Sequence, residues 1–280
     1  MNTDEFRDIR YSKDESGIAT LSFNRPERKN ALSMLTFFEI YNAVDVFERD
    51  DSAYALILTG AKGPDADDPS REAYSSGGYF NPDAYEGVSE EVMQQIDQSD
   101  IAQKRTTLKM FQCDKPIIAA VNGLAIGGAV TLTLAVADQI FMSEHAWLQL
   151  PFARLGLSAE LASSFLLPRL LGLQKAKEIM FFAERIDAEK ALALQLVNKV
   201  LPHAELMTYA REQALQLVPP QGAGLAIREM KKLLNEPYVQ AISEALDREN
   251  KALHKLFNSA DFAEGMAARI ERRPPVFKGA

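Results

Sequence analysis

A short apolar run, Pro116 to Val121, is followed by Asn122-Gly123, and then by Gly127-Gly128 at the head of a second apolar stretch, Ala129 to Val136. The first run reads as a buried strand, Asn122-Gly123 as a turn and the second run as a buried helix. Two glycines at a helix start let another group approach the backbone, because no Cβ stands in the way. The first N–H groups of such a helix have no intrahelical partner, and the helix dipole favours negative charge there. Two readings follow: close packing of the helix against a neighbour, or a pair of backbone donors able to hold a developing oxyanion. A second glycine-bearing loop upstream, Ser75-Ser76-Gly77-Gly78-Tyr79-Phe80, gives the second reading weight.

At 280 residues the chain can bury a sizeable core. Its formal net charge of −8 argues against sequence-independent binding of nucleic acid. One cysteine, Cys113, forbids an intrachain disulfide and suits a reducing compartment. No apolar run approaches the length of a membrane span. The acidic, polar segment Met1 to Arg10 is unlike a signal peptide, and the ending Phe277-Lys278-Gly279-Ala280 carries no peroxisomal-type tripeptide. The cytoplasm is the expected location, with no membrane and no nucleic-acid partner.

Taken in order, Ile18–Phe23 reads as a strand, and Asn24 to Asn30 as a charged turn. Ser33 caps a helix running to about Glu48. Tyr54–Thr59 is a second strand, and the polar, acidic residues 61–75 form a surface loop. Val88 to Phe111 is expected to be one long, mostly helical stretch. Gln139–Met142 and Trp147–Leu150 are further strands, and Ser158 is placed as the cap of a helix from Ala159 to Leu166. Strands alternating with helices imply an α/β fold. Past Leu201 the strands stop, and 204–218, 222–234, 239–257 and 262–272 read as four helices. The chain divides into a core, 1–200, and an all-helical region, 201–280. Arg28 and Lys29 on the charged turn are either solvated or in contact with an anionic ligand.

These loops, the order of elements and the helical tail together resemble the crotonase (enoyl-CoA hydratase/isomerase) superfamily over nearly the whole chain. The resemblance is carried by Leu21 to Pro26 with Asn30 to Ser33, by Ala73 to Gly78, and by Ala120 to Gly123 through Gly127-Gly128-Ala129. Ser259, Asp261, Glu264 and Gly265, followed by Glu271-Arg272 and Pro275, resemble the family's closing helix. It implies a spiral of repeated β-β-α turns and a helical C-terminal region that packs homotrimers, often paired into hexamers. It also implies an acyl-coenzyme A thioester as ligand and no separate cofactor, coenzyme A arriving as part of the substrate, and no metal. The N–H groups of Gly78 and Gly128 would hold the thioester oxygen. Arg28, Lys29 and Lys278 become candidates near the coenzyme A phosphates, and Ser76, Gly77, Tyr79 and Phe80 for substrate binding. The acidic insertion at 62–70 departs from the family's short loop.

Family hydratases use two glutamates, which by position would fall at Thr131 and Phe152. Neither residue can transfer a proton in that role, so the sequence argues against ordinary two-glutamate hydration and assigns Phe152 to the acyl pocket. The segment Pro151-Phe152-x-x-Leu155-Gly156-x-Ser158-x-Glu160 resembles instead the Δ3,Δ2-enoyl-CoA isomerase branch, whose single glutamate would be Glu160. Read without the family, Glu160 is an acidic residue stabilising the first turn of a helix. The dehalogenase branch also places a carboxylate there, but its tryptophan would fall at Phe152. His145, His203 and His254 read as structural or solvated, Asp138 as structural, and Asp83 and Glu86 as surface or pocket rim. The expected activity is enoyl-CoA isomerisation. The alternatives are isomerisation of another coenzyme A thioester from aromatic or unusual acids, and a non-catalytic acyl-CoA-binding relative.

Overall fold

Aliphatic runs buried on both faces become the inner strands of a parallel sheet. The computed structural model describes residues 3–64 and 67–280; positions 65 and 66 of the expected acidic loop lie outside the described residues. Its strands are β1 (Ile9–Lys13), β2 (Ile18–Phe23), β3 (Ala55–Gly60), β4 (Ala73–Ser75), β5 (Ile117–Val121), β6 (Leu124–Ile126), β7 (Gln139–Ser143), β8 (Trp147–Gln149), β9 (Ile186–Asp187) and β10 (Lys199–Leu201). Its helices are α1 (Met34–Arg49), α2 (Glu90–Gln95), α3 (Lys104–Gln112), α4 (Gly128–Val136), α5 (Ser163–Leu171), α6 (Leu173–Phe182), α7 (Ala188–Ala193), α8 (Leu206–Leu217), α9 (Gly224–Phe257) and α10 (Ala260–Glu271).

A six-stranded sheet runs β1-β2-β3-β5-β7-β10, and a four-stranded sheet runs β4-β6-β8-β9. β3–β4, β5–β6 and β7–β8 each give one strand to either sheet before the chain passes into helix. This is the α/β spiral of β-β-α turns that the resemblance implied. β3 and β5, the most apolar runs, are buried at every position.

Below the larger sheet, Ile18, Ile57, Ile118 and Phe141 pack on Leu206, Ala210 and Ala214 of α8. Phe111, Phe165, Ile242, Leu246 and Leu253 join α3, α5 and α9 in another apolar cluster. Residues 201–280 therefore complete the core rather than hang from it. Lys231 of α9 donates to Asp138 Oδ2 at 2.7 Å and to Lys115 O at 2.9 Å. Asp138 Oδ2 also takes the Ile117 N–H at 2.7 Å, so this residue is structural.

Ser33 caps α1 as expected, in a reciprocal pairing with Thr36. Three expectations need correction. The stretch 88–111 breaks between α2 and α3, because Asp97 and Asp100 take nearby backbone N–H groups that a continuous helix would need. The helices expected over 222–234 and 239–257 are one helix, α9, despite Pro237. Pro237 leaves the Leu233 carbonyl without its helical donor, and Lys231 and Ile242 anchor the helix to the core on either side. The surface loop assigned to 61–75 ends early, since Ala73–Ser75 is a buried strand.

Candidate active site

The two glycine-bearing loops meet at the ends of β4 and β6. Gly77 has φ +81°, and a Cβ there would stand 2.4 Å from Ile126 O, so only glycine lets the loops close on each other. Leu32 donates its N–H to Gly77 O and accepts the Tyr79 N–H, each at 2.8 Å. That pairing turns the Gly78 N–H outward. Gly128 is the first residue of α4, where an N–H has no intrahelical acceptor. Among the described residues nothing accepts the N–H of either glycine.

Both glycines line a cavity of about 420 Å³, whose walls are mostly apolar: Leu32, Met34, Phe37, Ile101 and Phe257. Among the described residues that line it, Glu160 is the one carboxylate. It stands over Gly128, where a Cβ would lie 3.0 Å from Glu160 Oε1. Glu160 is partly accessible through the cavity, but its carboxyl group is densely surrounded by protein, and that governs its solvation. Burial, with the charge of Glu249 adding to it, pushes the group up to about 8. No hydrogen bond to its oxygens is formed among the described residues.

Glu160 is not in a helix. The segment after Gly156 is irregular, and α5 begins only at Ser163. Ser158 caps nothing; its Oγ is buried without a hydrogen-bond partner. Leu161 and Ala162 both adopt left-handed backbone, with φ of 53° and 63°, which ends the irregular segment and starts the helix. The helix-dipole reading of Glu160 therefore fails.

Phe152 is 4% exposed and packs in the core, where a Cβ on Gly127 would lie 3.8 Å from its ring. It does not line the cavity as the sequence reading had it. Thr131 is buried in α4 with its hydroxyl directed at Gly127 O, 3.4 Å away.

Tyr79 and Phe80 line the cavity; Ser76 and Gly77 do not, and Ser76 Oγ donates to Arg28 O. Arg28 pairs with Asp83 at 3.3 Å, and Tyr79 donates to the same carboxylate at 2.7 Å, which puts Asp83 on the rim. Lys29 lines a small neighbouring cleft of about 130 Å³ with Glu27 and Arg71. Lys278 lies on the tail, its N–H donating to Asp261 Oδ1 at 2.7 Å, and lines neither space.

The sequence reading missed Gln98, Gln103 and His254 as cavity residues. His254 faces Ser99 O at 2.7 Å across two segments far apart in sequence, and no local pattern marks such a meeting. A roomier cavity of about 510 Å³ lies around Glu72, Asn122 and His203, but it holds neither Gly78, Gly128 nor Glu160. His203 there reaches Ser143 Oγ at 3.1 Å. Among the described residues no group of His, Cys, Asp or Glu could hold a metal, and no helix is long and apolar enough to cross a membrane.

The family model for enoyl-CoA hydratase/isomerase matches residues 13–280. The chain belongs to the enoyl-CoA hydratase/isomerase family. A short-chain-enoyl-CoA hydratase of Clostridium acetobutylicum is 31% identical over 262 residues, covering 92% of this chain and 93% of that one. A carnitinyl-CoA dehydratase of Escherichia coli is 32% identical over 283 residues, covering 94% and 95%. The crystal structure of an enoyl-CoA hydratase/isomerase from Pseudoalteromonas atlantica superposes with a TM-score of 0.81, at 27% identity over 97% of this chain and all of that one.

Proposed function

We propose that this protein is an acyl-CoA isomerase that moves a double bond from C3–C4 to C2–C3 of an enoyl thioester, with Glu160 as the proton shuttle. The observation that carries this is that Glu160, the one carboxylate among the described cavity residues, stands over Gly128 in an apolar cavity that Gly78 also lines. The N–H groups of Gly78 and Gly128 take the thioester oxygen and stabilise the enolate that forms when C2 loses its proton. One donor of this kind is worth about 3 kcal/mol in the transition state. Glu160 removes the C2 proton, the electron pair spreads over a dienolate, and the same carboxyl group returns the proton to C4. One acid–base group suffices, and nothing else is consumed.

The relatives are named for hydration and dehydration. Those names keep hydration as the second reading, against which stand Thr131 and Phe152, buried and without an acid or base. Gln98, Gln103 and His254 favour a variant of the first reading, in which the acyl chain ends in a polar group.

The test is turnover of a medium-chain 3-enoyl-CoA, and of a 2-enoyl-CoA with water, by wild type and Glu160→Gln. Isomerisation should dominate and fall about 1,000-fold in the variant, the scale of a lost acid–base group. Because the base works ionised and its carboxyl sits near 8, kcat/KM should climb as the pH rises through about 8 and then level, with no such limb in Glu160→Gln. Dominant hydration that survives the substitution refutes the proposal.

A further inference from the structure

We propose that Glu249, in the middle of α9, is a positioning residue that holds Glu160 over Gly128 without touching substrate; this rests on the isomerase reading above. Glu249 is 3% exposed and does not line the cavity. Its Oε2 accepts the Ala162 N–H at 2.8 Å. Its Oε1 accepts the Ser164 N–H at 2.9 Å and the Ser164 hydroxyl at 2.5 Å. Those donors open α5, two to four residues beyond Glu160.

The local sequence cannot do this by itself. Ala162 occupies the N-cap position of α5 and has no side-chain acceptor, so the first N–H groups of the helix would be left without partners. Leu161 and Ala162 are also held at positive φ, a conformation that side chains with a Cβ resist. Strain of this kind persists only where the surroundings enforce it. Here one carboxylate from a helix 85 residues away along the chain supplies the missing cap, through charge-assisted bonds. Ser163 N–H, the one donor in between, is taken by Glu160 O itself, so the turn is closed from within and clamped from outside.

The clamp also fixes where the acid points. Leu161 Cδ1 would lie 3.2 Å from a Cβ on Gly128, beside the Glu160 carboxylate at 3.0 Å, so the two side chains share one narrow space over the glycine. If the Leu161–Ala162 turn relaxes toward ordinary backbone, both side chains leave it. The charge of Glu249 itself contributes to keeping Glu160 protonatable near neutral pH, after burial.

The test compares Glu249→Ala, Glu249→Gln and Glu160→Gln as full-length enzyme. Readouts are kcat, KM, the dissociation constant for a saturated acyl-CoA that cannot react, and thermal melting. A reacting group displaced by about 1 Å loses about 100-fold in rate. Glu249→Ala should lose that much in kcat while binding the saturated thioester as wild type does. Glu249→Gln, which keeps an acceptor oxygen for one of the donors, should recover about 10-fold of that loss. Should Glu249→Ala fail to fold, the roughly 10-fold kcat loss expected of Glu249→Gln, without a change in thioester binding, is the required result. Wild-type kcat in the folded variants overturns the inference, as does a loss in which kcat and thioester binding fall together. If Glu160→Gln itself retains isomerisation, the isomerase reading has failed instead.

Discussion

Gly128 and Glu160 press on each other closely enough that one methyl group separates structure from function. A Cβ at 128 would stand 3.0 Å from Glu160 Oε1 and 3.2 Å from Leu161 Cδ1, tighter than side chains tolerate without moving. The backbone at 128 is helical and not held at positive φ, so alanine there meets only the flexible ends of Glu160 and Leu161, which can give way without disturbing the fold. Gly128→Ala should therefore melt no lower than wild type and yet lose about 100-fold in kcat, since it displaces the carboxylate. An equal loss of both would mean that the glycine serves packing alone. Glu160, which lies in the cavity with both glycines, was singled out through the resemblance of the segment from Pro151 onward to the isomerase branch. Glu249 was not: it is one acid among Asp247, Arg248, Asn250 and Lys251, and its role arises only where α5 comes to meet it. The placement of Phe152 was misjudged for a related reason. An aromatic beside a proline turn suits a pocket wall and a core equally, and here the ring joins the main apolar core with Leu148, Leu150 and Leu161.

The capping residue at the head of α1 made that element readable, and elements shaped by distant partners were not. Ser33 with Thr36 fixed the start of α1 locally. Nothing local shows that Pro237 would be tolerated, because the tolerance comes from anchors on the core to either side of it. Lys231 is the strongest of those anchors, and it ties α9 to both β5 and the residue before β7. Lys231→Met would leave Lys115 O with only the weak Cys113 Sγ donor at 3.8 Å, and Asp138 with one donor fewer. Asp138 is a third exposed, which keeps the cost near about 2–3 kcal/mol. A urea midpoint lowered to match, with an unchanged slope, is the expected result. An unchanged midpoint would show that α9 needs no such anchor.

At the scale of the molecule, several large apolar side chains have no cover: Leu225, Leu233 and Leu234 on α9, Phe181 and Phe182 at the end of α6, and Ile270 on α10 are all more than 60% exposed. Apolar surface of this kind is the mark of association between copies. We expect light scattering to give three times the 31.1 kDa chain mass, or twice that trimer, and Leu233→Lys with Leu234→Lys to lower it. A monomeric wild type would leave these side chains unexplained. The alternation of strands with helices was readable in the residues themselves, whereas the spiral was implied only by the resemblance to the family, since no sequence repeat marks its turns. How 201–280 closes it was not readable, because α8 packs on strands, and α9 on helices, far earlier in the chain.

Gly156 meets the backbone of Asp261 and Phe262, and Gly265 meets that of Leu155, so the start of α10 is the floor beneath the bend that leads to Glu160. During synthesis this floor is laid last. The oxyanion loops and the acid leave the ribosome long before α9 and α10, and until those helices arrive the acid has neither its clamp nor its support. On the isomerase proposal, a nascent chain would thus be nearly all made and still chemically silent, its activity switching on only as the final helices dock.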